Sequence, residues 1–244
     1  MQKYFIRHKL QVGDTTFLSD SDSEIAISQN LLKIEDPVHI ETLEDLFLAQ
    51  VVDIKPASIE VEIIEHIGER ESEYKPSITI IQSLSNESKF NYFIEKSVEI
   101  GIEKIIPMES EYSLKKEKQA IKDTGYWNKL VKDATEQSRT IFPTNIERPI
   151  RIQKLDTLDF SDSVKICLAT ENVESISLGK FLKETDMNKP FVIAIGPEKG
   201  WSSKDLEIFK NLGFNFVNLK GNILRTETTG LVIGSIIKYL KGEI

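Results

Sequence analysis

The 244-residue sequence predicts an α/β fold: a small N-terminal β-barrel followed by a domain with a mainly parallel sheet. Three observations predict it. Residues 1–67 carry several short strand-like runs separated by turn residues. From Ser77 onward, apolar β-branched runs alternate with runs at helical spacing. Between the two, residues 68–76 have no apolar period and end in Pro76, as a linker does. The expected domains are residues 1–72, the barrel, and residues 77–244, the α/β domain.

The barrel strands are expected at residues 4–7, 24–27, 38–41, 46–53 and 58–66. The last alternates, with Ile59, Val61 and Ile63 on one face and Glu60, Glu62 and Ile64 on the other. In the second domain, strands are expected at 78–81, 105–108, 164–169, 191–195 and 214–219. Phe90, Phe93, Ile94 and Val98 fall at helical spacing, and Gly101 ends that helix. A second helix is expected over 126–138. Ser202 and Asp205 resemble a capping box before Leu206, Phe209 and Leu212, with Gly213 as the stop. A last helix runs over 227–240.

Hydrophobic content of 40% is enough for a core. No apolar run approaches the roughly 20 residues that span a bilayer, and the N-terminus lacks a continuous signal-peptide core. A cytoplasmic location away from membranes is expected. The single cysteine, Cys167, lies in an apolar run and is expected in the core. The net charge of −8 is uneven: residues 1–72 hold 6 Lys and Arg against 15 Asp and Glu, and the rest hold 25 against 24. The acidic first part should repel a polyanion, so the second must supply most of any attraction to nucleic acid.

A dinucleotide-binding glycine fingerprint, a phosphate loop and a serine-nucleophile elbow are all absent from the sequence. His8, His39 and His66 are isolated from one another, and none pairs with a cysteine at zinc spacing. Two loops remain, each where a strand-like run meets a helix-like one. They are Ile195-Gly196-Pro197-Glu198-Lys199-Gly200-Trp201 and Leu219-Lys220-Gly221-Asn222-Ile223-Leu224-Arg225-Thr226-Glu227-Thr228. Glycines there let backbone amides approach a ligand that a Cβ would exclude. Alternatively, Gly-Pro-Glu-Lys-Gly is a plain tight turn and Ile223-Leu224-Arg225 a core edge with a surface arginine. Gly230 and Gly234, spaced i, i+4 in the last helix, suggest close approach of another backbone. Lys115, Lys116, Lys118, Lys122, Lys129, Lys132 and Arg139 form an extended basic stretch, either a solvated face or a strip for RNA phosphates.

These loops resemble a known family when taken with three further pieces. These are Glu95-Lys96-Ser97-Val98-Glu99-Ile100-Gly101-Ile102, Ile106-Pro107, and Ala134-Thr135-Glu136-Gln137-Ser138-Arg139 with Pro143. In this order and spacing, from about residue 78 to 239, the chain resembles the ribosomal RNA uridine-N3 methyltransferases of the RsmE type, in the SPOUT superfamily. The resemblance implies a trefoil knot and S-adenosylmethionine as cofactor. Gly196, Pro197, Glu198 and Gly200 match the first cofactor loop. Leu219, Gly221, Ile223, Leu224 and Arg225 match the second, and Thr226, Glu227 and Thr228 open the last helix. For the methyl transfer so implied, Arg225 is the candidate for charge stabilisation or base placement, with Arg139, from either subunit, as second choice and Glu198 as a candidate base. The resemblance also implies ribosomal RNA of the small subunit as partner, and a homodimer through the last helix. The chain departs from the family pattern at Lys199, Lys220, Asn222, Tyr112 and Asn86. The alternative is a non-catalytic or re-targeted RNA-binding protein of the same fold.

Overall fold

The computed structural model describes residues 2–6, 8–42, 44–69, 78–138, 140, 143–169 and 173–244, apart from the side chain of Ser21. The chain divides into two compact units, Met1–Lys75 with Thr135–Phe142, and Pro76–Ala134 with Pro143–Ile244.

The first unit contains β1 (Gln2–Phe5), β2 (Thr15–Phe17), α1 (Asp20–Ser28), β3 (Pro37–Glu41), β4 (Asp45–Lys55) and β5 (Ser58–Glu69). They form a five-stranded sheet in the order β1-β3-β4-β5-β2. Only β1 and β3 run parallel; the other pairs are antiparallel. Among the described residues no ladder joins β1 to β2, although the arrangement is compatible with the expected barrel. Ile59, Val61 and Ile63 are buried with Val38, Ile40, Ala49 and Val51, whereas Ile64 faces outward.

One expected strand is overturned. Residues 24–27 lie inside α1. Ser19 caps that helix by accepting a 3.1 Å bond from the Asp22 amide, and Asp20 and Asp22 sit at its positive end. Ser23 and Ala26 are the buried residues, three apart, and the Ser23 hydroxyl accepts from the Ile59 amide at 3.3 Å. A short apolar run over four residues did not reveal this longer period. Strand β2 was not anticipated. Arg7 and residues 70–77, which fall in an expected strand and in the expected linker, lie outside the described residues.

The second unit begins with β6 (Ile78–Ser83), α2 (Glu87–Glu99), β7 (Lys104–Glu109), α3 (Glu117–Ala120) and α4 (Thr124–Ser138), whose last turn is counted with the first unit. It continues through β8 (Asn145–Ile146), β9 (Ile150–Arg151), β10 (Val164–Leu168), β11 (Ile176–Ser177) and α5 (Leu178–Lys183). It ends with β12 (Phe191–Ile195), α6 (Ser203–Asn211), β13 (Asn215–Asn218) and α7 (Thr226–Lys241). The sheet has eight strands, ordered β11-β13-β10-β12-β6-β7-β8, with β9 also on β7. Every pairing in it is parallel.

A parallel sheet is covered on both faces, so its central strands are apolar throughout. Strand β12 shows this: Phe191, Ile193 and Ile195 enter one core with Phe90, Phe93, Val98, Ile233 and Ile237 from α2 and α7. Val192 and Ala194 enter the opposite core with Cys167, Phe209 and Phe214. Gly101 and Gly213 follow α2 and α6 with φ of +71° and +74°, the left-handed stop their sequences anticipate. The capping box at Ser202 and Asp205 is formed on both sides.

The paired glycines of α7 pack within their own chain. A Cβ on Gly230 would lie 3.2 Å from the Phe93 ring, 3.3 Å from Ile80 and 3.4 Å from Ile195. One on Gly234 would lie 2.8 Å from Ile102 Cδ1. Their close approach is therefore to side chains of α2, β6, β12 and the turn before β7, rather than to another backbone.

Candidate active site

Because the strands are parallel, β6, β12 and β13 all end on the same edge of the sheet, and loops there converge. The first loop follows β12. Its turn is closed by the Gly200 amide donating to the Pro197 carbonyl at 2.8 Å, and Gly200 takes a φ of +75° that other residues adopt only at a cost. Pro197 is buried, while Glu198 and Lys199 occupy the exposed corner. Gly196 is small for a local reason: a Cβ there would meet the Trp201 indole at 3.2 Å. That indole donates to the Leu168 carbonyl at 2.9 Å and packs edge-on against Phe209, tying the loop to β10 and α6.

The second loop runs from β13 to α7. Gly221 has a φ of +109°, and open space lies where its Cβ would be. Ile223 is 94% exposed, an unusual cost for an isoleucine unless a ligand covers it. Leu219 and Leu224 are half-buried, and Lys220 and Asn222 point to solvent. Arg225 takes extended backbone angles at the helix cap, and its carbonyl accepts from the Thr228 and Thr229 amides at 3.0 and 2.9 Å. Its guanidinium is held only loosely, with Nη1 3.9 Å from Glu227 Oε1 and the side chain 78% exposed.

The two loops are joined through Thr226. Its hydroxyl donates to the Gly196 carbonyl at 2.6 Å and accepts from Gln82 Nε2 at 2.9 Å. Gln82 belongs to β6 and is buried, and its Oε1 has no partner among the described residues. A lone amide facing the same side as Ile78 and Ile80 was the signal that could have found it. Glu227 is buried in the first turn of α7, where the helix dipole favours its charge, and its Oε2 has no partner among the described residues. Thr228 is half-buried beside it. Lys89 of α2 pairs with Glu198, so this candidate base is an ion-pair partner.

The hydroxyls of Ser83, Ser110 and Ser113 close a buried triangle of 2.8–3.0 Å at the ends of β6 and β7. Of the expected basic strip, Lys115 is paired with Asp123 and Lys116 with Glu109, so it is not one uniformly free basic face. Arg139 lies outside the described residues.

The model of the RNA methyltransferase domain matches residues 72–238, which include both loops, α2 and most of α7. The ribosomal RNA small subunit methyltransferase E of Aquifex aeolicus is 32% identical over 187 residues, 73% of this chain and 75% of the relative. The chain belongs to this family of RNA methyltransferases. The methyltransferase E of Buchnera aphidicola from Acyrthosiphon pisum is 26% identical and aligns with 99% of this chain and 94% of its own. The family's fold extends over the whole chain. The methyltransferase E of Neisseria gonorrhoeae, solved bound to S-adenosyl methionine, superposes with a TM-score of 0.74 at 24% identity, covering 98% of each chain. A probable rRNA methyltransferase of Porphyromonas gingivalis superposes at 0.75 with 21% identity and 99% coverage of each. Among the described residues, no helix is long and apolar enough to cross a membrane.

Proposed function

We propose that the chain is an S-adenosylmethionine-dependent methyltransferase acting on N3 of a uridine in RNA of the small ribosomal subunit. The observation that carries this reading is the pair of loops at one sheet edge, tied through Thr226, with Gly221 open and Ile223 bare. The residues fit the cofactor. Leu219, Ile223 and Leu224 offer aliphatic walls for an adenine, and Gly196, Pro197, Gly200 and Gly221 offer backbone groups. Lys199 and Lys220, which replace small residues of the family pattern, are directed to solvent and leave the loops open. The cofactor, when bound, supplies a methyl group activated by its sulfonium charge.

The protein's own part is positioning and charge. The uridine has to be unpaired or flipped out to expose N3. Losing the N3 proton leaves negative charge on the base, and the exposed Arg225 guanidinium, free to turn, stabilises it. The knotted threading of the family belongs to this reading and rests on the family match over residues 72–238. So does a homodimer through α7, supported by its exposed Ile236, Tyr239 and Leu240. A cytoplasmic location follows from a ribosomal substrate. The test is transfer of labelled methyl from S-adenosylmethionine to small ribosomal subunits, with the product nucleoside identified. The reading predicts 3-methyluridine. Label in transfer RNA alone, or in no RNA, contradicts it.

A further inference from the structure

We infer that the groove between the first turns of α2 and α7 is the seat of the reacting base, and that Glu227 accepts its N3 proton. The inference rests on the function proposed above and names the group that this function leaves unassigned. It gives Glu227 a role different from the cofactor contact that the family resemblance implies.

The groove encloses about 310 Å³ and is lined by Ser88, Lys89, Tyr92, Glu227 and Thr228. That size is at the lower end of small-molecule sites, which start at about 300 Å³. Glu227 is only 8% exposed, yet among the described residues its Oε2 has no hydrogen-bond partner. A buried carboxylate oxygen left unpaired is costly, so it calls for a donor. Glu227 lines the groove, and the terminal torsion of glutamate is broad, so its carboxylate can turn to meet a donor bound there.

The other lining groups match the rest of a uracil edge. That edge reads acceptor, donor, acceptor: O2, N3–H and O4. Lys89 has three N–H donors and spends one on Glu198. Ser88 and Thr228 bring hydroxyls that also donate. Donors therefore flank one acceptor, Glu227, as the edge requires. Tyr92 is half-exposed at the groove and offers a ring for stacking. Cytosine presents a lone pair at N3, which Glu227 repels. The groove also adjoins the first loop, through the Lys89–Glu198 pair and the Thr226–Gly196 bond.

In the step, the N3–H bond breaks with its electron pair left on nitrogen. The proton passes to Glu227, which becomes the neutral acid, and the pair on N3 forms the bond to the methyl carbon while that carbon's bond to the sulfonium sulfur breaks, its electron pair staying on sulfur as the neutral thioether leaves. Glu198, already neutralised by Lys89, is the poorer acceptor.

The experiment compares wild type with Glu227→Gln on small ribosomal subunits. Failure of the wild type to methylate uridine sinks the function itself; the inference is tested only against an active wild type. We expect kcat to fall about 100-fold or more at neutral pH, as for loss of general-base catalysis, with S-adenosylmethionine affinity within twofold. The defect should shrink as pH rises toward the ionisation of uracil N3 itself. A second readout needs no turnover: cofactor-free wild type should bind a uridine-containing oligoribonucleotide about 10-fold more tightly than its cytidine counterpart, the usual worth of a charged hydrogen bond. Glu227→Gln should abolish that preference. Full kcat, a pH-independent defect, a preserved uridine preference or lost cofactor binding each overturns the assignment. Should the variant fail to fold, the wild-type preference for uridine over cytidine still decides, and its absence overturns the assignment equally.

Discussion

Arg225 and Cys167 show how burial decides what a residue can do. Arg225 carries its charge in solvent beside the two loops and contributes little to packing. Arg225→Ala should therefore leave the melting temperature nearly unchanged while cutting methyl transfer by about 100-fold or more; retained full activity removes Arg225 from the reaction. Cys167 is the opposite case. Burial pushes its thiol well above the usual range, with Asp205 adding to the shift and the Trp201 indole partly opposing it. At pH 8 it should remain protonated and inert to a thiol reagent in the native protein, and react within minutes after denaturation. Rapid native labelling would place it outside the core. The sequence indicated Cys167 as core from its apolar neighbours, and both glycine loops from their punctuation. It did not show Gln82 or Lys89 as site residues, because their roles depend on which loops and helices lie above them.

Elements were legible where their period ran long. Helix α2 was read from four apolar residues at helical spacing, and all four are buried. Residues 24–27 misled because a short apolar run satisfies both a strand and part of a helix, and the cap at Ser19 decides between them. Helix α7 was legible as a helix, but the partner of its glycines was not, since that depends on the crossing of α2. The crossing now separates the two glycines. Alanine gains about 1 kcal/mol of helix propensity over glycine at either site. At Gly234 the obstacle is the end of the Ile102 side chain, which can rotate away. At Gly230 a phenylalanine ring and two strand isoleucines close in together, and overpacking costs about 1–3 kcal/mol. Chemical denaturation should therefore find Gly234→Ala near neutral and Gly230→Ala destabilising by up to about 2 kcal/mol. The reverse order would mean that α7 packs differently.

For the whole molecule, charge divides as the two parts of the sequence do. Residues 1–72 carry a net −9 from 6 basic and 15 acidic residues, so attraction to RNA has to come from the remainder and should be modest. Raising salt from 50 to 200 mM should weaken binding to small ribosomal subunits by less than the 10³–10⁵-fold typical of a protein making about 6–10 phosphate contacts. A steeper loss would reveal a basic surface that the paired lysines near α3 do not provide. The α/β architecture and its parallel sheet were legible because strands and helices alternate from Ser77 onward. The strand order was not, because periodicity records which residues are buried and not which strands are neighbours. The most direct test of the central claim, that the loops after β12 and β13 form one cofactor seat, is calorimetric titration of the full chain with S-adenosylmethionine. The predicted result is saturable binding of one cofactor per chain at micromolar concentration. No heat of binding at millimolar cofactor would contradict it.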